Sequence, residues 1–169
     1  MKAIILAAGS GRRMQPLTHA THKTLLTVGD RPLIGWIVDA LLARNIDDIA
    51  IVTGFQRAAV TAYLTETYPH LPIAYVHNER YAQTNNIFSL ALALEQLEFD
   101  DDVLLFECDL IFEPAALDRL LAAPHANVAL VDRHARGMDG TVLEVEQGIV
   151  TQVIPPHRQG ANFDFSDKY

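Results

Sequence analysis

The sequence predicts an α/β fold: a Rossmann-like, doubly wound, mainly parallel sheet with a β-hairpin near the C-terminus. Three observations carry this. Short apolar runs of strand length alternate with longer segments whose apolar residues recur at helical spacing. The first apolar run ends in a glycine-rich turn, as a strand does when it feeds a loop at a sheet edge. After Gly140 the pattern changes to two alternating runs around Glu146, Gln147 and Gly148, which read as a hairpin.

Taken in order, residues 3–7 (AIILA) form a buried strand, and Gly9, Ser10, Gly11, Arg12, Arg13 and Met14 a basic loop. Pro16 opposes continuation of that loop as a helix, because proline lacks an N–H and restricts the residue before it. Residues 32–44 (PLIGWIVDALLAR) have helical spacing, with Pro32 near the first turn and Asp30 as the expected cap. Residues 48–53 (DIAIVT) read as a second strand, 56–67 as a helix and 72–77 (PIAYVH) as a third strand. A polar loop over 78–84 leads to a helix over 85–97 (NNIFSLALALEQL). Residues 102–106 (DVLLF) form a fourth strand, with Glu107, Cys108 and Asp109 at its C-terminal end. A short helix over 114–122 precedes a fifth strand over 126–132 (ANVALVD), and the hairpin joins 141–145 to 149–154. Ligands of such sheets bind beyond the C-terminal strand ends, near the point where strand order reverses. The glycine loop and Asp109 both fall at that edge.

Composition narrows the field. The formal net charge of −8 argues against a nucleic-acid partner, which calls for a basic face. No apolar run approaches the roughly 18 residues that span a bilayer, so no membrane partner is expected. Cys108 is the only cysteine, which forbids an internal disulfide. With no signal-peptide pattern at the N-terminus, a cytoplasmic location is the expectation. The stretch over 162–169 (NFDFSDKY) ends without a closing element. It reads either as a loosely held tail or as the point where a longer chain is cut.

The glycine loop suits the phosphates of a nucleoside triphosphate. Backbone N–H groups from Ala8 to Gly11 can cradle phosphate oxygens, and an arginine forks onto phosphate with two hydrogen bonds. Lys23 lies beyond a polar run, too far on to belong to the turn. A dinucleotide site is excluded by context: it needs a helix starting within the glycines and an acid ending the second strand. Pro16 opposes the first, and Asp30 precedes a helix. Thr84, Asn85 and Asn86 start a helix, with Ser89 one turn later; Thr84 and Asn85 are good helix caps, yet this row of amides and hydroxyls can also read the edge of a pyrimidine. Asp109 suits Mg²⁺ held against triphosphate oxygens, or equally a turn. Glu107, one position out of phase, is free to face either side. Cys108 reads as a small buried residue, and His19 and His22 as solvated members of a mobile loop.

The segment LAAGSGRRMQPLT…HKTLLTV…RPLI resembles the N-terminal signature of nucleotidyltransferases that join a nucleoside triphosphate to a phosphate monoester. Gly9, Gly11, Arg13, Pro16, Leu17, Thr18, Lys23, Leu25 and Leu26 match in order. His22 stands where that family usually has proline, which implies a less rigid path into Lys23. NERYAQTNNIFSLALA (78–93) and LLFECDLIFEP (104–114) are similar to the branch containing phosphocholine and 2-aminoethylphosphonate cytidylyltransferases.

The resemblance implies a GT-A-like nucleotidyltransferase domain over 1–169, incomplete at its C-terminus, that binds CTP and a small phosphorylated or phosphonate acceptor. It implies that Leu6, Ala8, Gly9, Ser10 and Gly11 line the nucleotide, with Asn85, Ser89 and Glu107. Arg13 and Lys23 are the implied catalytic cations and Asp109 the Mg²⁺ ligand. A second metal-binding aspartate of related enzymes lies beyond the matched region, so weak activity is expected. A homodimer is a further expectation. Tyr81, Phe88 and Trp36 are the aromatics available to a cationic acceptor. Two other functions stay open: sugar-1-phosphate nucleotidyl transfer with UTP, dTTP or GTP, and a nucleotide-binding domain that has lost catalysis.

Overall fold

In the computed structural model, β1 (Lys2–Ala7) leads through turns of 3-10 helix at Arg12–Met14 and Lys23–Leu25 to a small hairpin of β2 (Thr27–Val28) and β3 (Arg31–Pro32). There follow α1 (Leu33–Leu42), β4 (Ile49–Thr53), α2 (Arg57–Thr67), β5 (Ala74–His77), α3 (Asn86–Gln96), β6 (Val103–Glu107) and α4 (Pro114–Leu121). Residues 1–135, 138, 140–161 and 163–169 are described. They divide into two units, residues 1–114 and 115–169.

The first unit carries a parallel sheet in the order β5-β4-β1-β6. Strand β1 is central because both its faces are apolar, and a strand buried on both sides belongs inside a parallel sheet. On one face Ile4, Leu6, Val52 and Val76 pack with Ala93 of α3, joined by Leu90, Leu97 and Tyr81. Ile5 and Ile51, pointing to the other face, are fully buried too. So are Ile34, Ile37, Val38 and Leu41 of α1, whose spacing makes one helical stripe. Each such side chain contributes about 1.5–3 kcal/mol. The chain steps from β1 outward to β4 and β5, then returns past β1 to β6. The order therefore reverses between β1 and β6, and the crevice opens at their C-terminal ends.

Sequence expectation and structure part at two places in the fold. Asp30 does not cap α1; Pro32 takes the N-cap position and no side chain closes it. Asp30 instead shares a turn with Gly29, at φ +69, between the paired strands β2 and β3. Residues 126–132 form no strand. A strand exists only as part of a ladder, and nothing described pairs with this run, whose Val128, Leu130 and Val131 stand exposed. Of the two readings of the C-terminal stretch, the loosely held tail does not match the structure. Asn162 lies outside the described residues, but Tyr169 and Leu143 exchange backbone hydrogen bonds of 2.7 and 3.1 Å. Lys168 also pairs with Glu144 at 2.9 Å.

The expected hairpin is present in the second unit. Strand β7 (Val142–Glu146) pairs antiparallel with β8 (Ile149–Ile154). Gln147 and Gly148 turn between them, both at positive φ, as a two-residue hairpin turn requires. Among the described residues no helix is long and apolar enough to cross a membrane.

Candidate active site

The loop after β1 is shaped by two glycines in different ways. Gly11 adopts φ +63, and a Cβ there would lie 3.1 Å from both Lys23 Cβ and Thr18 Cγ2. Glycine is required at that point by conformation and by space. The Thr18 hydroxyl closes the loop by donating to the Gly11 carbonyl at 2.8 Å. Gly9 has open space around it, which suits a backbone that must be approached closely by a ligand. Among the described residues no hydrogen bond occupies the N–H groups of Gly9, Ser10 or Gly11. These donors are available to an anion. Arg13 is exposed in the following turn. A third glycine braces the loop from below: a Cβ on Gly54, after β4, would meet the Ala8 carbonyl oxygen at 2.6 Å. That carbonyl accepts from Phe55 N–H at 3.0 Å.

Lys23 reaches the crevice from a short turn fixed at both ends. Nδ1 of His22 accepts from the Thr24 N–H at 3.2 Å, and the Thr24 hydroxyl donates to the Cys108 carbonyl at 2.8 Å. The Lys23 ammonium then donates to Asp109 Oδ2 at 2.9 Å. Burial alone would lower the Lys23 pKa. The groups at the end of β6, Cys108 first and then Asp109 and Glu107, together raise it above its ordinary value, so the side chain is a cation at neutral pH. Burial pushes the Cys108 thiol up to about 12. It is therefore neutral and has no nucleophilic character, as the sequence suggests.

Glu107 pairs in register with Leu6 of β1 and points to the α3 side of the sheet, where Asn86 Nδ2 donates to its Oε1 at 2.7 Å. Partial burial raises the Glu107 pKa, against the opposing pull of Lys23 and the Asn86 hydrogen bond. Asn85 caps α3, its Oδ1 accepting from Phe88 N–H at 3.2 Å; its Nδ2 has no partner among the described residues. Ser89 is buried and accepts from Asn78 Nδ2 at 3.0 Å, leaving its own proton to donate. Asn78 also donates to Thr84, which donates onward to the Arg80 carbonyl.

The residues singled out in the sequence thus fall into two groups at one sheet edge. Gly9, Ser10, Gly11, Lys23 and Asp109 flank the β1–β6 reversal, and Glu107 links that group through Asn86 to Asn85 and Ser89. Leu6 and Ala8 contribute differently: their side chains belong to the core beneath the loop. His22 departs from expectation most. It is fully buried rather than solvated, 6.1 Å from the Phe55 ring, while His19 is exposed. Trp36 and Phe88 already carry guanidinium groups over their rings, Arg31 at 5.4 Å and Arg80 at 5.3 Å. Thr24, Gly54 and Asn78 are not marked as site residues by the sequence. Asn78 lies in the Asn-rich segment that carries the resemblance, whereas nothing local marks Thr24 or Gly54.

Known proteins place this architecture. The chain is 36% identical over 165 residues to the CMP-5'-(3-aminopropyl)phosphonate synthase of Streptomyces rubellomurinus, a match covering 97% of this chain and 26% of that protein. It is 42% identical over 97 residues to the choline-phosphate cytidylyltransferase of Streptococcus pneumoniae, covering 57% of this chain and 41% of that one. A solved structure of the CTP:phosphocholine cytidylyltransferase of Streptococcus pneumoniae superposes with a TM-score of 0.56 at 39% identity, over 64% of this chain and 44% of that chain. The chain therefore spans between about a quarter and under half the length of these relatives. Residues 3–149 match the MobA-like NTP transferase domain, and the chain belongs to that family.

Proposed function

We propose that the protein transfers CMP from CTP to a small phosphate monoester or phosphonate of the phosphocholine type, releasing pyrophosphate. The observation that supports this best is the Lys23–Asp109 pair at the strand-order reversal, beside three unoccupied backbone N–H groups. In this reaction an anionic oxygen of the acceptor attacks the α-phosphorus in line and pyrophosphate leaves. An anion attacks an anion, so alignment and charge neutralisation dominate over proton transfer. The N–H groups of Gly9, Ser10 and Gly11, with Arg13, hold the β- and γ-phosphates, and Lys23 stabilises charge developing at the α-phosphate. Asn85 Nδ2 and the Ser89 hydroxyl offer donors to the acceptor edge of cytosine. The choice of CTP rests on the relatives, whose names give cytidylyl transfer.

Asp109 and Glu107 suit Mg²⁺. Both are hard oxygen donors, and among the described residues no group of three or more His, Cys, Asp or Glu forms a closed metal cage. Mg²⁺ is commonly held by one or two carboxylates, with substrate phosphates and water completing its shell. When bound, the ion supplies positive charge beside the triphosphate. Asp109 is the first candidate to hold it, with Glu107 behind.

Purified protein given CTP, Mg²⁺ and either phosphocholine or 2-aminoethylphosphonate is expected to release pyrophosphate in an acceptor-dependent manner. Release only with UTP or dTTP and a sugar 1-phosphate would transfer the reading to the sugar branch. Failure of all four triphosphates to raise the melting temperature would remove the nucleotide site.

A further inference from the structure

Among the described residues, His22 is a buried polar group whose place the reaction does not by itself explain. The ring is fully buried, and Nδ1 accepts the Thr24 N–H, so the ring proton lies on Nε2. Nε2 completes no hydrogen bond of good geometry, and the acceptors it faces are the carbonyls of Ala7 and Gly9, where β1 becomes the glycine loop. One imidazole therefore touches two parts of the site. Its Nδ1 side fixes the turn that carries Lys23, a turn tied to the end of β6 through Thr24 and Cys108. Its Nε2 side lies under the loop with the free N–H donors.

We propose that His22 is a positioning residue: its Nδ1 bond to Thr24 fixes the turn that carries Lys23, and its buried ring seats that turn beneath the glycine loop. Its role in turnover rests on the nucleotidyl-transfer reading above; its role in fixing the turn does not. The bond is local and directional, because Nδ1 plays the part an Asn or Asp oxygen plays at a helix N-cap. Without it the Thr24 amide loses its acceptor and the turn that carries Lys23 can shift against the loop above the ring. A shift of about 1 Å at a charge-stabilising group is enough to cost on the order of 100-fold in rate.

Two amide substitutions separate the ring nitrogens. His22→Asn places an acceptor near the position of Nδ1, and His22→Gln reaches toward Nε2 without serving Thr24. Hydrogen exchange at the Thr24 amide, followed in the full chain, is expected to stay slow in His22→Asn and to accelerate at least about tenfold in His22→Gln. Under CTP-saturating conditions kcat should fall about 10–100-fold in His22→Gln with little change in KM for CTP, and His22→Asn should recover most of the loss. Circular dichroism and cooperative melting establish that both variants fold. Equal Thr24 protection in the two variants overturns the proposal, as does wild-type kcat in His22→Gln despite lost protection. If the wild-type protein transfers no nucleotide, the functional reading falls, while the exchange pattern still decides whether His22 fixes the turn.

Discussion

Nζ of Lys23 lies 2.9 Å from Oδ2 of Asp109, a contact between residues 86 positions apart. It brings a cation from the loop after β1 to the carboxylate after β6, across the reversal of strand order. A lysine so paired is held ready, and its partner is the same carboxylate proposed above to hold a metal. The two roles imply different losses on mutation.

Lys23→Ala is expected to lower kcat by about 100–1000-fold, the usual cost of removing one preorganised charge-stabilising group. The dissociation constant for CTP should change far less, because an interaction made mainly in the transition state contributes little to ground-state binding. Steady-state kinetics beside calorimetric titration with CTP reads both. Parallel losses in the two measurements would show that Lys23 only binds.

Asp109→Asn keeps the shape and removes the charge. The rate should lose its dependence on Mg²⁺ concentration and fall to the level seen in chelator. A Mg²⁺ titration of initial rates checks this, and an unchanged midpoint would take Asp109 out of the metal site. The same change should lower the Lys23 pKa, because Asp109 is one of the groups that raises it against burial.

Much of this was legible in the sequence, for physical reasons. Fully buried strands such as β1 and β4 show as unbroken apolar runs, and α1 and α3 show their stripes, because each must cover the sheet. The glycine loop and Asp109 could be placed at one edge because parallel topology puts every strand's C-terminus there. What stayed hidden depended on long-range partners. Residues 126–132 have the composition of a strand, but composition does not supply a neighbour to bond with. His22 looks like any polar loop residue until Phe55 and the Thr24 turn close over it. Asp30 satisfies a capping pattern, yet the Gly29–Asp30 turn uses that stretch to reverse the chain one step earlier.

Gly54 illustrates the same limit and gives a test of it. A Cβ at this position meets the Ala8 carbonyl oxygen at 2.6 Å and Tyr81 Cβ at 2.8 Å. The first contact is backbone, so no side-chain rotation relieves it. Gly54→Ala should cost about 1–3 kcal/mol of stability, as overpacking does, and should weaken CTP binding by pushing the Ala8 end of the loop. Urea unfolding and CTP titration of the same variant measure the two effects. Wild-type values for both would mean that the β4 end does not brace the loop.

Burial, reinforced by the positive charge of Lys23, lowers the His22 pKa to about 4, against about 6.5 in an unfolded chain. Between those values the unfolded chain binds a proton that the native protein refuses. The unfolded state is favoured accordingly, so stability falls as pH drops from about 7 toward 4 and the effect levels off below that. The slope approaches 1.4 kcal/mol per pH unit and the whole span amounts to about 3 kcal/mol from this one residue. Other groups titrate in the same range, so the quantity to measure is the difference between wild type and His22→Asn, which shares every other titratable group. Urea midpoints taken at half-unit steps from pH 7.5 to 4.5 should show wild type losing stability faster than the variant on acidification. Parallel profiles would mean that His22 takes up its proton in the native state as easily as in the unfolded one, which a ring sealed beneath Phe55 and the glycine loop does not allow.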